Sequence, residues 1–184
     1  MAILLWILIA VLAVIVIMFI YYYNKFAILS QRADNSLSQI DVQLKKRADL
    51  VPNLIETVKG YAKHEKGIME SVTKARAALV GAKGIVGRMK AGNVLESALG
   101  RLFAIAENYP QLKANENFLQ LQQELAAIED KIAYARQYYN DSIMSYNNAV
   151  VTFPGSFFAN LYSKQKKEYL QIPEAQKAVP KVSF

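Results

Sequence analysis

The sequence predicts an all-α protein: an N-terminal transmembrane helix followed by an elongated antiparallel helical bundle with coiled-coil-like seams. Three observations carry this. The first 23 residues, Met1 to Tyr23, hold no charged side chain. Two later stretches repeat apolar residues at alternating steps of three and four, the spacing of a helix face packed against another helix. No stretch shows the period-two alternation of a half-buried strand.

As a helix, residues 1–23 reach about 33 Å, enough to cross a hydrocarbon layer of roughly 30 Å. Trp6 lies near one end and Tyr21, Tyr22 and Tyr23 close the other, where amphipathic rings suit the headgroup layers. No Lys or Arg precedes the run, the run is longer than a signal peptide's apolar core, and the residues after it are bulky rather than small. These features predict a retained signal anchor rather than a cleaved leader. Basic residues follow the run at Lys25, Arg32, Lys45, Lys46 and Arg47, with Asp34 and Asp41 among them. Positive flanks stay cytoplasmic. The expectation is a single-pass protein of the cell membrane with its N-terminus outside and its helical domain in the cytoplasm.

The remaining chain, residues 24–162, has the size of one domain. The absence of cysteine excludes disulfides and thiolate metal sites. The net charge of +7 falls wholly on the part after the anchor.

The first stripe reads Leu37, Ile40, Leu44, Ala48, Val51, Leu54 or Ile55, and Val58, and resumes at Ile68, Val72, Ala75 and Leu79. It predicts one long amphipathic helix, into which the membrane helix runs without a stop. Pro52 lies inside it. A proline in a helix interior removes a hydrogen bond and crowds the preceding turn. Because the stripe keeps its phase across Pro52, a kink is expected, with a new helix starting there as the alternative. Gly81, Gly84, Gly87 and Gly92 predict a loop over 81–92. A shorter helix is expected from Asn93, as cap, to Asn108, ended by Tyr109-Pro110. The second long stripe begins after Asn115 and runs Phe118, Leu121, Leu125, Ile128, Ile132, Ala135, Tyr139, Ile143, Tyr146, Val150, Phe153, to a stop at Pro154-Gly155. Phe157, Phe158, Leu161 and Tyr162 make a brief apolar piece. Residues 163–184, basic and holding Pro173 and Pro180, are expected to form a loosely ordered tail. The two main helices outrun the shorter one, so lengths of stripe remain to be covered by the loops, by the Phe157 piece or by another chain.

Several blocks of this sequence resemble the LemA family of bacterial membrane proteins. One is Ser38 to Leu54, containing Lys45-Lys46-Arg47-Ala48-Asp49-Leu50-Val51-Pro52-Asn53, and continuing through Glu56 to Ala62. Another is Tyr109 to Phe118, followed by Ala133 to Asp141, Tyr146-Asn147 and Phe153-Pro154. The resemblance covers nearly the whole chain and is weakest over 81–92 and beyond Tyr162. It implies a single N-terminal anchor, an outward N-terminus and a helical-bundle domain. It implies no reaction and no catalytic residues.

The residues themselves point the same way. His64 is the only histidine, sits among Lys63, Glu65 and Lys66, and lacks the companions a metal site needs. Glu129 and Asp130 are adjacent, point about 100° apart on a helix, and are expected on a solvated face. Asp41 and Lys45 have the spacing of a weak surface pair. Gly81, Gly84 and Gly87 are followed by Arg88-Met89, not by the Lys-Ser/Thr of a phosphate loop. The basic residues are spread along helices without a DNA-reading motif, so no nucleic acid is expected. An anionic membrane surface accounts for them more simply. The notable group is Tyr139, Asn140, Asp141, Tyr146 and Asn147. Tyr139 and Tyr146 share the seam, and the amides could satisfy their hydroxyls. A polar layer fixing helix register is one reading and a binding groove the other.

Together these features predict a non-enzymatic, membrane-anchored scaffold or interaction module with no catalytic residue, cofactor or metal. Its expected partners are the lipid bilayer and either other proteins or its own copies; no small-molecule substrate is identified. An envelope-stress or lipid sensor is the alternative, and a bundle-type enzyme a further one.

Overall fold

A computed structural model describes residues 1–170. Six helices follow in order: α1 (Ala2–Tyr61), α2 (Lys66–Gly81), α3 (Gly84–Ala106), α4 (Pro110–Lys113), α5 (Glu116–Val151) and α6 (Gly155–Leu161). No strand occurs among the described residues. One helix, α1, is long and apolar enough to cross a membrane by length and composition; its most apolar window has a mean hydropathy of 3.5 and none of it is buried.

The chain divides into two compact units, one of Leu37–Ala135 and one of Met1–Ser36 with the described residues from Arg136 on. The helices α1 and α5 belong in part to each.

In the Leu37–Ala135 unit, the stripe residues Ile40, Leu44, Val51, Leu54 and Val58 of α1 are buried, as are Val72 and Leu79 of α2, Leu95 and Leu102 of α3, and Phe118 and Ile132 of α5. Each such side chain contributes about 1.5–3 kcal/mol on leaving water. Arg47 of α1 meets Glu129 of α5, and Tyr61 meets Asn115, so these stretches of α1 and α5 run antiparallel.

The single helix expected to run from Leu37 to Leu79 is instead two. It ends at Tyr61 and restarts at Lys66, and α2 folds back so that Arg76 reaches Ala48. The stripe keeps its phase because both arms bury into one core, so periodicity could not reveal the reversal. Tyr109 pins the turn by donating to Glu65 at 2.9 Å.

Pro52 starts no new helix; α1 runs through it. The proline has no N–H for the carbonyl of Ala48, four residues earlier. The Nε of Arg76 donates to that carbonyl instead, at 2.7 Å. The bond lost to Pro52 is thus replaced from α2.

The loop expected over 81–92 shrinks to Ala82 and Lys83, and the helix expected from Asn93 begins at Gly84. Gly84 takes φ +68°, a conformation that disfavours a side chain, and turns the chain between α2 and α3. Packing of α3 residues Met89, Leu95 and Leu99 outweighs the weak helix propensity of its glycines. Asn93 is therefore inside a helix rather than at a cap. Asn115 does cap α5, accepting from the Phe118 amide at 3.0 Å.

In the other unit, Phe26, Leu29, Tyr146, Ala149, Phe158 and Ala159 form the core. The helix α6 packs on α1 through close rings: Phe158 stacks on Tyr22 at 4.7 Å and meets Phe19 edge-on at 5.1 Å. Gly155 is buried at the start of α6, where a Cβ would come within 2.2 Å of the Ala149 carbonyl oxygen. Only glycine admits this approach.

Candidate functional site

The group around Tyr139 to Asn147 lies on α5 in the second of these units. Asn140 and Asn147 are two turns apart, about 10.5 Å along the helix. Residues 163–170 follow α6 as non-helical chain and pass alongside them. Asn147 donates through Nδ2 to the carbonyl of Lys167 at 2.9 Å and accepts from the amide of that residue at 2.9 Å. Asn140 repeats the pattern on Leu170, at 3.1 Å and 2.9 Å. Three residues of extended chain span about 10 Å, so the seven-residue interval on the helix matches the three-residue interval on the strap. Between them, Tyr139 donates to the carbonyl of Glu168 at 3.1 Å. The strap runs antiparallel to α5.

These contacts read the backbone. A primary amide offers one donor and one acceptor side by side, the complement of the C=O and N–H of one extended residue. One side chain of the strap is held as well. The ammonium of Lys167 donates to Ser30 Oγ at 2.7 Å, lies 4.0 Å from the Asp34 carboxylate and sits 5.3 Å above the Tyr146 ring. The site therefore holds an extended segment with a lysine at a fixed place.

Two expectations are corrected. The amides do not serve the tyrosine hydroxyls: Tyr139 bonds to the strap carbonyl, and Tyr146 offers its ring face to a cation. Residues 163–170 are not loose but clasped, while the rest of the expected tail lies outside the described residues. Asp141 is exposed and outside the clasp. Burial raises the pKa of Tyr139 above its ordinary value, helped by the charges of Asp34 and Glu168; burial also raises that of Tyr146. Both phenols stay neutral near pH 7 and act as donor and ring.

The remaining candidates are dispersed. His64 is exposed. Among the described residues, no group of three His, Cys, Asp or Glu could hold a metal ion. Glu129 is not on a solvated face as expected: it pairs with Arg47, which is only 2% exposed. Arg47 also donates to the Gly92 carbonyl at 3.3 Å and lies 4.0 Å from Glu96, so one guanidinium joins α1, α3 and α5. Asp41 pairs with Arg88 of α3 rather than with Lys45, whose partner is Asp49 at 2.9 Å. The expectation missed Arg47 because it was counted as flanking charge. Its place three residues after Leu44 and four before Val51 put it on the buried face. A cleft of about 240 Å³ in the same unit is lined by Leu44, Ala48, Arg76, Leu79 and Arg88, and both of its guanidiniums are already engaged.

One long apolar N-terminal helix, helices packed on its continuation and a strap clasped by heptad-spaced asparagines define an all-helical bundle protein with a candidate membrane span. The chain belongs to the LemA family: the family's sequence model matches residues 36–184. It is 27% identical to the magnetosome protein MamQ of Magnetospirillum gryphiswaldense over 80% of its own length and 64% of the relative's. It is 26% identical to magnetosome protein MamQ 2 of Paramagnetospirillum magneticum, over 81% of this chain and 64% of that one. Identity to protein LemA of Metamycoplasma hominis is 25%, over 80% of this chain and 69% of the relative. The chain spans less than two thirds of the length of the MamQ relatives it matches.

Proposed function

We propose that this chain is a single-pass, membrane-anchored, non-enzymatic protein whose bundle acts as an interaction or scaffold module at the membrane surface. The clasp is the observation that supports this reading most. Asn140 and Asn147 engage main-chain atoms of Lys167 and Leu170, and Lys167 fills a polar and aromatic niche. A surface that recognises extended chain by its backbone suits contact with protein segments. The uncharged run to Tyr23 holds that surface beside a bilayer. Lys25, Arg32, Lys45 and Lys46 favour a cytoplasmic bundle and an outward N-terminus; Arg47, being buried and paired, adds nothing to that bias.

The test is in-cell photo-crosslinking of the full-length chain, with the photoreactive residue at Met144, an exposed position of α5. A discrete product with a second copy or another protein is expected. The pattern should change with Asn147→Ala, which removes both bonds to the Lys167 backbone. A chain that stays uncrosslinked and monodisperse in detergent would sink the proposal. Orientation is read separately, since the chain has no cysteine. Lys66→Cys should react with an impermeant maleimide only after the cells are opened; reaction in intact cells would reverse the topology.

A further inference from the structure

The short helix α6 presents two apolar faces, and only one of them is used. Gly155, Phe158 and Ala159 are buried against α1 and α5. On the other side, Phe157 and Leu161, four residues apart, are 59% and 53% exposed, and Phe153 just before the helix is 88% exposed. Large apolar side chains grouped in this way on a short surface helix call for a partner.

The position of α6 along α1 says which partner. Phe158 packs on Phe19 and Tyr22. Tyr162 donates to the carbonyl of Phe19 at 3.0 Å and meets the Tyr23 ring at 5.6 Å. These three α1 residues fall within the last five of the uncharged run, and the first charge, Lys25, follows two residues after Tyr23. The C-terminal end of α5 points the same way: Tyr146 lies against Phe26, and five further residues to Val151 carry the chain about 7.5 Å toward the run. So the exposed rings stand at the level where the apolar surface of α1 ends. The residues after α6 turn basic, with Lys164 and Lys166 exposed and Lys25 lying over the rings of Tyr21 and Tyr22. Aromatic and aliphatic groups followed by lysines match the layered chemistry of a bilayer surface, acyl chain ends below and anionic headgroups above.

We propose that α6, with Phe153, is a membrane-interface element: Phe153, Phe157 and Leu161 insert into the headgroup boundary of the bilayer that α1 crosses. This rests on the membrane-anchoring reading above. It gives the chain a second lipid contact beside its span. That contact fixes α6 and the strap after it at the lipid surface.

Trp6 is the only tryptophan, and wild type serves as the reference for the span. The experiment reconstitutes full-length chain in vesicles of phosphatidylcholine and phosphatidylglycerol whose acyl chains carry bromine, and reads tryptophan emission. Wild type reports on the span through Trp6; the double variant W6F/F153W reports on the α6 region. Loss of emission in both, with a blue shift for the indole at position 153 relative to free tryptophan in water, is the expected result. Quenching of Trp6 with none at position 153 overturns the α6 proposal and leaves anchoring intact. Absence of quenching at both positions overturns anchoring, and the α6 proposal with it. The pair W6F/L161W repeats the measurement at the other end of the helix, and helical circular dichroism checks that each variant is folded. A folded W6F/L161W that is unquenched while wild type is quenched counts against the proposal in the same way.

Discussion

In the unit of Leu37–Ala135, guanidinium groups fasten the helices: Arg47 to Glu129 and the Gly92 carbonyl, Arg76 to the Ala48 carbonyl, Arg88 to Asp41. In the unit holding Met1–Ser36 and the chain from Arg136, stacked rings and neutral amides do that work: Phe158 on Tyr22, Tyr162 to the Phe19 carbonyl, Asn140 and Asn147 to the strap. A guanidinium brings several donors and a permanent charge, so it can serve a carboxylate and a helix carbonyl together. Burying an ionised group has a steep desolvation cost, whereas a phenol or amide satisfies a carbonyl at a smaller one. The one cation drawn into the clasp, Lys167, is met by a hydroxyl, a carboxylate and a ring face. The two units thus differ in the polar groups that tie their helices together.

Three sets of variants probe that contrast, and each is read by unfolding of the full-length chain in detergent micelles. Arg47→Met should have the largest effect. It leaves Glu129 half-buried without its cation, at a cost of about 3 kcal/mol, the lower end for a broken buried pair because Glu129 keeps some solvent. The double change Arg47→Met with Glu129→Leu should recover most of the loss. If Arg47→Met alone is neutral, charge does not hold this unit.

Next comes the replacement at Pro52. Arg76→Met should cost about 1 kcal/mol or somewhat more by orphaning the Ala48 carbonyl. With Pro52→Ala also present, the helix supplies its own amide, and the cost of Arg76→Met should fall below about 0.5 kcal/mol. Equal costs in the two backgrounds would show that Arg76 acts by packing alone.

The smallest effect belongs to the neutral unit and depends on pH. The folded-state pKa values of Tyr139 and Tyr146 are raised. Their contribution is therefore complete below the unfolded tyrosine value of about 10, and is lost as pH rises from there through the folded values. The melting temperature should hold level to about pH 9 and then decline, by a shallower slope in the double variant Tyr139→Phe and Tyr146→Phe. An identical slope would place the alkaline loss elsewhere. Acidification through the carboxylate range should leave this particular contribution untouched.

Much of this was legible in the sequence. The uncharged run, the two stripes, the start of the second stripe after Asn115 and the grouping of Asn140 and Asn147 with Tyr139 and Tyr146 all follow from local spacing. The reversal between Tyr61 and Lys66 was not, because two antiparallel arms sharing a core carry the same stripe as one continuous helix. The helix over Gly84–Ala106 was misread as loop and short helix, because propensity weighs glycine locally whereas Met89, Leu95 and Leu99 bury against distant residues. Arg47 and Glu129 read as surface charge until a third helix brought the Gly92 carbonyl beside them.

By itself the sequence determined that the chain is helical, that it opens with a segment able to span a bilayer, and which faces of its helices are apolar. Those are properties of neighbours in the chain, set by composition and by the 3.6-residue period. Only the tertiary structure decided that Arg76 answers Pro52, that the asparagines hold Lys167 and Leu170 rather than the tyrosine hydroxyls, and that α6 rests at the end of the apolar run. Each of these joins residues remote in sequence through a single donor, amide or ring, and such a match leaves no periodic trace in the chain.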